Sequence, residues 1–311
     1  MNRGIFCISL DMEMMWGRHD LPNYREFIKR ADKERVVIKK LLNLFDKYQI
    51  PATWAVVGHL FLDHCFPDNG SKHPDVKRPN PKWTQNDWFE NDPTSSLEND
   101  PQWYGLDIVK LIQQYKNQEV GSHSFSHIIF GDEGTSYSAA ESDLKKCIEL
   151  AKKNGIKFSS FVFPRNSVGY LGLLKKYGFR AFRGPQPNLK KGIIAKLFQA
   201  LDLFLPISPP ISKPLIHDEL LNIPSSMYFV SARGIRKFIP RNTRSRKAIS
   251  GIKKAIDENG VFHLWTHPTD FADNTKLLLE DFEDILKYAD LKRKAGLLEI
   301  KNMQQITIAS R

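Results

Sequence analysis

Three cysteines in 311 residues are too few and too scattered for a disulfide framework. Cys7 sits in a strand-like apolar run, Cys147 in a helical one and Cys65 in a loop beside Phe66, a set that suits free thiols in a reducing compartment. No apolar run reaches the length of a bilayer span, and the amino terminus has no charged segment followed by an apolar stretch and a small-residue cleavage site. The expected location is therefore cytoplasmic. Zinc-finger spacings are missing, as is the aromatic-basic signature of an RNA-binding sheet, so no nucleic-acid partner is expected despite a net charge of +11.

What is present is a 41% hydrophobic chain, ample for a large core, and a charge imbalance gathered in one place. Residues 186–254 hold eight lysines and five arginines against three acids, a local charge of +10. Such a patch attracts an anionic membrane surface or glycan, or simply keeps one face solvated. Within it, residues 193–207 (IIAKLFQALDLFLPI), flanked by Lys190 and Lys191, read in two ways: a helix on the inner membrane face, or a core helix followed by a proline-rich loop.

Strand and helix patterns alternate. Residues 4–10 read as a strand, 24–48 as a helix with Phe27, Val36, Val37, Leu41, Leu44 and Phe45 at helical spacing, and 52–58 (ATWAVVG) as a second strand. After a polar stretch at about 59–104 carrying Trp83, Trp88 and Trp103, the rhythm resumes: helix 106–118, strand 119–122, helix 138–154, strand 159–164, helix 170–177 and strand 179–183. Beyond a second insertion at about 185–219 come an apolar run at 220–230, a helix near 246–258, strand 261–266, helix 275–295 and strand 297–302. This alternation predicts an α/β protein, a (β/α) barrel of parallel strands with residues 1–311 as one domain.

In such barrels chemistry gathers at the carboxyl ends of the strands. Asp11 and Glu13 close the first strand, two apart and so on one side, and two acids in one apolar place are costly to hold without a cation. The alternative is that both face water as turn residues. His123 and His127, four apart after the third strand, share a face if they occupy a helical turn, the geometry of a metal-gripping pair. One carboxylate and two imidazoles leave a position open for water, as in catalytic zinc-type sites. Arg165 and Asn166 end the fourth strand, where Arg165 can orient a carboxylate or hold a substrate oxygen and Asn166 can bind substrate or cap the next helix. His263 and His267 lie on the same side of a strand but roughly 13 Å apart. His267, at the mouth, is assigned the chemistry, and His263 a hydrogen-bonded place in the core. Among the tryptophans, Trp16 is expected to offer its aromatic face to substrate.

The acid pair, TWAVVG, GSHSFSH, FPRN and HLWTHP together resemble, in order, the polysaccharide deacetylase family, carbohydrate esterase family four. The resemblance runs over roughly residues 6–268 and implies a distorted (β/α) barrel of about seven parallel strands. By similarity Asp11 is the general base, Glu13, His123 and His127 bind a divalent metal ion, zinc for preference, and His267 is the general acid. Three departures stand out: Met12 separates the acids where adjacent aspartates are common, Arg165 follows Pro164 rather than preceding it, and no later aspartate appears near Phe182, Arg183 and Gly184. The implied activity is removal of an acetyl group from an N- or O-acetylated sugar, and the expected cytoplasmic location points to a lipid- or nucleotide-linked precursor in surface-glycan assembly. Two alternatives stand beside it: a small-molecule amidohydrolase, and a catalytically silent member that binds glycans or a membrane.

Overall fold

The computed structural model describes residues 3–186, 203–205 and 207–309. Most of 193–207 lies outside these residues, and with it the choice between a membrane-facing and a core helix. In chain order the elements are β1 (Gly4–Met12), α1 (Ile28–Lys47), β2 (Ala52–Val56), α2 (Leu106–Gln114), β3 (Gln118–Ser122), α3 (Tyr137–Lys153), β4 (Ser160–Val162), α4 (Leu171–Lys176), β5 (Ala181–Arg183), β6 (Leu215–His217), β7 (Leu220–Asn222), β8 (Met227–Tyr228), α5 (Thr243–Glu258), β9 (Val261–Thr266), α6 (Thr275–Lys294), β10 (Leu298–Ile300) and α7 (Met303–Ala309). The terminal helix α7 had no counterpart in the sequence reading.

Strand order is β6-β7-β5-β4-β3-β2-β1-β9-β8, with β10 beside the start of β1. Among the described residues, every pairing between these strands is parallel except that of the β6–β7 hairpin. The apolar run expected at 220–230 is split between two partners: β7 pairs with β5, and a few residues later β8 pairs with β9. That single segment thus joins the two edges of the sheet and closes a distorted barrel of seven staves. The cause is local, since Pro224 has no N–H to donate to a ladder and interrupts the strand.

All nine residues of β1 are buried, as expected for a parallel strand covered on both faces. The 3.6-residue repeat of α1 buries Ala31, Val37, Ile38, Leu41, Leu42 and Phe45 against the sheet. Val36, counted in the expected apolar stripe, instead faces solvent at 55% exposure, and Phe27 belongs to a 3₁₀ turn ahead of the helix.

One residue of the buried stripe of α1 is an acid. Glu34 is fully buried, and apart from a loose approach to the Met14 backbone its oxygens have no hydrogen-bond partner. Burial first, and the nearby Glu13 charge second, push its carboxyl up to about 8. Native Glu34 therefore keeps its proton at pH values where the unfolded chain has lost it, and stability falls as pH rises from the ordinary carboxylate range toward 8. Glu34→Leu is expected to raise stability by on the order of a few kcal/mol at pH 8 and by much less at pH 5. Thermal denaturation at both pH values checks this, and an equal effect at the two would contradict it.

Candidate active site

The carboxyl ends of β1, β3, β4, β5 and β9 bring together every histidine and acid expected at the barrel mouth. Glu13 Oε1 lies 3.1 Å from His123 Nε2, 3.1 Å from His127 Nε2 and 3.5 Å from His267 Nε2. Asp11 Oδ2 is 4.0 Å from the same His267 nitrogen. One ligand-type atom from each of Glu13, His123 and His127 falls within 4.8 Å of the others, and so do those of Asp11, Glu13 and His267.

The two acids sit differently. Asp11, on β1, is 3% exposed, while Glu13 begins the 3₁₀ turn Met14–Gly17. A Cβ on Gly17 would collide with the Glu13 carboxylate, so the missing side chain is what leaves room for it. Burial alone would raise the Glu13 carboxyl, but the His267 charge first, with the imidazoles of His127 and His123 beside it, holds it well below the usual range.

His123 and His127 do not occupy a helical turn as expected. They stand in an irregular loop in which Ser124 and His127 adopt left-handed backbone conformations, with φ of 61° and 60°. Buried Asp143 of α3 pins that loop, accepting hydrogen bonds from Phe125 N–H (2.7 Å), Ser126 N–H (2.9 Å) and Ser126 Oγ (2.7 Å). These charge-assisted bonds offset the strain and turn both imidazoles inward. The ring of His123 donates through Nδ1 to the Val162 carbonyl at 2.7 Å, which leaves Nε2 facing Glu13. Burial lowers His127 more than Glu13 raises it, so this ring favours the neutral form.

His267 is the opposite case. Its Nδ1 is 2.9 Å from Asp270 Oδ2, and Tyr228 donates to the same oxygen at 2.6 Å. Burial would lower its pKa, but Glu13, Tyr228 and Asp270 raise it well above the ordinary value, so His267 is held charged. His263 is fully buried, donates to the Ile223 carbonyl and accepts from Ser9 Oγ at 2.9 Å; burial and the Arg183 charge lower it to about 3.

Arg183, at the end of β5, supplies a contact the sequence reading missed. Its guanidinium forms a two-pronged pair with Asp11, each N···O distance 2.6 Å, donates to Ser9 Oγ and Asn166 Oδ1, and lies 4.4 Å from the centroid of the Trp265 ring. Burial raises the Asp11 carboxyl, but Arg183 first, then His123 and His267, bring it below the usual value. The family resemblance implies an acid near 182–184, whereas the residue there that holds Asp11 is the cationic Arg183. Asp270 also escaped notice, although its place three residues after His267 is a local signal of an orienting acid.

Three further expectations change. Trp16 is fully buried, packed against His59, His19 and Trp103 with its indole N–H on the Trp103 carbonyl, so its face is covered and cannot stack on a sugar. Arg165 does orient a carboxylate, but that of Asp20, at 2.6 Å and 2.7 Å, beside the half-exposed ring of Trp83. Asn166 caps no helix; its side chain steadies Arg183 instead, and the residue before α4 is Tyr170, in a left-handed conformation.

A sequence model of the polysaccharide deacetylase family matches residues 31–182. Among solved structures, a Mycobacterium smegmatis protein described as a polysaccharide deacetylase superposes with a TM-score of 0.64 at 12% identity, covering 99% of this chain and 91% of that one. A Pseudomonas aeruginosa PAO1 protein described in the same way and the allantoinase PuuE each give a TM-score of 0.60 at 10% identity, covering 98% of this chain and 89% of theirs. At these identities the structural likeness speaks to the fold. No curated protein matches the chain in sequence. The family match from α1 to β5, set on a barrel of the same architecture, gives the conclusion: residues 31–182 carry the sequence pattern of the polysaccharide deacetylase family.

Proposed function

We propose that this protein is a metal-dependent hydrolase that removes an acetyl group from an N- or O-acetylated sugar. The observation that carries the reading is the meeting of His123 and Glu13. Because the Val162 carbonyl can only accept, the His123 proton belongs on Nδ1, and a neutral ring turns a bare Nε2 lone pair toward a carboxylate oxygen at 3.1 Å. Two acceptors at that distance repel unless a proton or a metal ion is shared between them, and three donor groups converging within 4.8 Å favour the metal. His127 Nε2 stands at the same 3.1 Å from Glu13 Oε1, and its buried Nδ1 has no partner.

Glu13, His123 and His127 would hold the ion, and their nitrogen and oxygen donors fit zinc. When bound, it supplies a Lewis acid that acidifies water and stabilises negative charge on the acetyl oxygen. Asp11, ionised and fixed by Arg183, takes the proton of the attacking water. His267, kept charged by Glu13 first and by Tyr228 and Asp270, delivers a proton to the departing amine or alcohol. The acid and the base thus differ in charge because their neighbours differ, the usual way one site performs both tasks.

Metal analysis joined to acetate release tests the reading, with free, lipid-linked and nucleotide-linked acetyl sugars and with linear and cyclic amides as the panel. Acetate release from at least one sugar is expected, lost on chelation and restored by zinc, and His123→Ala should lose both metal at this site and turnover. Metal-loaded protein that releases no acetate from any acetyl sugar would overturn the assignment, and turnover of amides alone would shift it to the amidohydrolase reading.

A further inference from the structure

We propose that the insertion following β2 carries a second metal site, structural rather than catalytic, in which His59, Cys65, His73 and Asp92 bind a zinc-type cation. One donor atom from each lies within 4.8 Å of the others. His59 Nε2 is 3.6 Å from Cys65 Sγ and 3.5 Å from Asp92 Oδ2, and Sγ is 3.7 Å from that oxygen. Zinc bonds of about 2.0–2.3 Å in a tetrahedron place donor atoms roughly 3.3–3.6 Å apart, so these three edges are near the size the ion needs. The fourth donor, His73 Nε2, is closer to Asp92, at 2.8 Å. His59 and Asp92 are fully buried and His73 nearly so.

The donor set distinguishes the site. Two imidazoles, a carboxylate and a thiolate make four protein ligands, a closed shell with no position left for substrate, whereas the cluster at Glu13 has three donors and no sulfur. Outer contacts suit ligation. Tyr104 Oη accepts from the Ser95 N–H at 2.8 Å, which frees its own proton for Cys65 Sγ at 3.1 Å, so the sulfur is placed as an acceptor, as a bound thiolate must be. The Thr94 N–H holds Asp92 Oδ1 at 2.9 Å and leaves Oδ2 for the centre of the cluster.

The site answers a structural need. Residues 62–104 contain no helix and no named strand, and so long an irregular stretch needs tying down. A cation would join four points spread over 59–92 and reduce the freedom of the unfolded loop. The clamped stretch packs on the catalytic loop: His59 N–H donates to the Phe125 carbonyl, the Trp88 indole donates to Ser126, and the His59 ring lies 4.2 Å from that of Trp16, three residues after Glu13. Ordering of the insertion thereby supports the backbone that presents His123 and His127.

Cobalt substitution tests the proposal, since only this cluster offers sulfur. In a His123→Ala/His127→Ala variant, which removes both imidazoles facing Glu13 from β3, cobalt is expected to bind with a near-ultraviolet thiolate-to-cobalt charge-transfer band. Cys65→Ala in that background should abolish the band. If that protein fails to fold, iodoacetamide labelling read by peptide mass spectrometry replaces it: Cys65 is expected to be protected by metal and alkylated after chelation. Absence of the band in the double-histidine variant, or Cys65 labelling indifferent to chelation, would overturn the site and leave the proposed deacetylase reaction untouched.

Discussion

Asp11→Asn is expected to lower turnover by about 10²–10⁴-fold, the range a positioned general base contributes, while the metal bound by Glu13, His123 and His127 stays. Asparagine keeps the shape of the side chain and can still accept one bond from Arg183, but it cannot take a proton. The burial of Asp11 makes the substitution doubly costly, since Arg183 is fully buried and would lose its counter-charge. Circular dichroism and metal content therefore accompany the kinetics. A folded, metal-loaded Asp11→Asn protein with near-normal turnover would remove Asp11 from the role of base.

Arg183→Leu should produce the largest loss of stability. Three features of the pair favour a large effect: both partners are buried, two short bonds join them, and Trp265 covers the guanidinium. Breaking a buried pair by removing one partner costs about 3–5 kcal/mol because the other charge is left uncompensated. The sign of the pH dependence should also reverse. With Arg183 present the Asp11 carboxyl lies below its ordinary value, so the stabilisation exists above the unfolded value and fades as pH falls through the native one. Without Arg183, burial dominates, the carboxyl rises, and the variant should become relatively more stable as pH is lowered. Urea denaturation across pH 4–8, as working conditions chosen around roughly the carboxylate range, measures both effects. The double variant Asp11→Asn/Arg183→Leu should recover part of the loss because it removes both charges, and an Arg183→Leu protein as stable as the parent would show that the pair contributes little.

Much of this site was legible before folding was considered. Asp11, Glu13, His123, His127 and His267 each follow a recognisable apolar run, and a residue just past a strand in an α/β barrel has little choice but the mouth. The His-x-x-x-His spacing picks out the two rings that meet Glu13, but not their geometry: it predicts a helical turn, whereas the loop depends on Asp143, seventeen or more residues away on α3. Trp16 failed for a related reason. Its neighbours Glu13 and Met14 say nothing about His59 and Trp103, which cover its faces.

The sequence by itself determined the alternation of strands and helices, the buried stripe of α1, and the placing of acids and histidines at strand ends, because periods of 2 and 3.6 residues are properties of the local chain. Tertiary structure alone decided that Arg183 reaches Asp11 across 172 positions, that Glu13, Tyr228 and Asp270 hold His267 charged, and that His59, Cys65, His73 and Asp92 converge. Such contacts depend on which strands lie side by side and how an irregular insertion packs, and burial then fixes the charge of each group. Neither the strand order nor the burial of these charged and polar groups is written in the spacing of nearby residues.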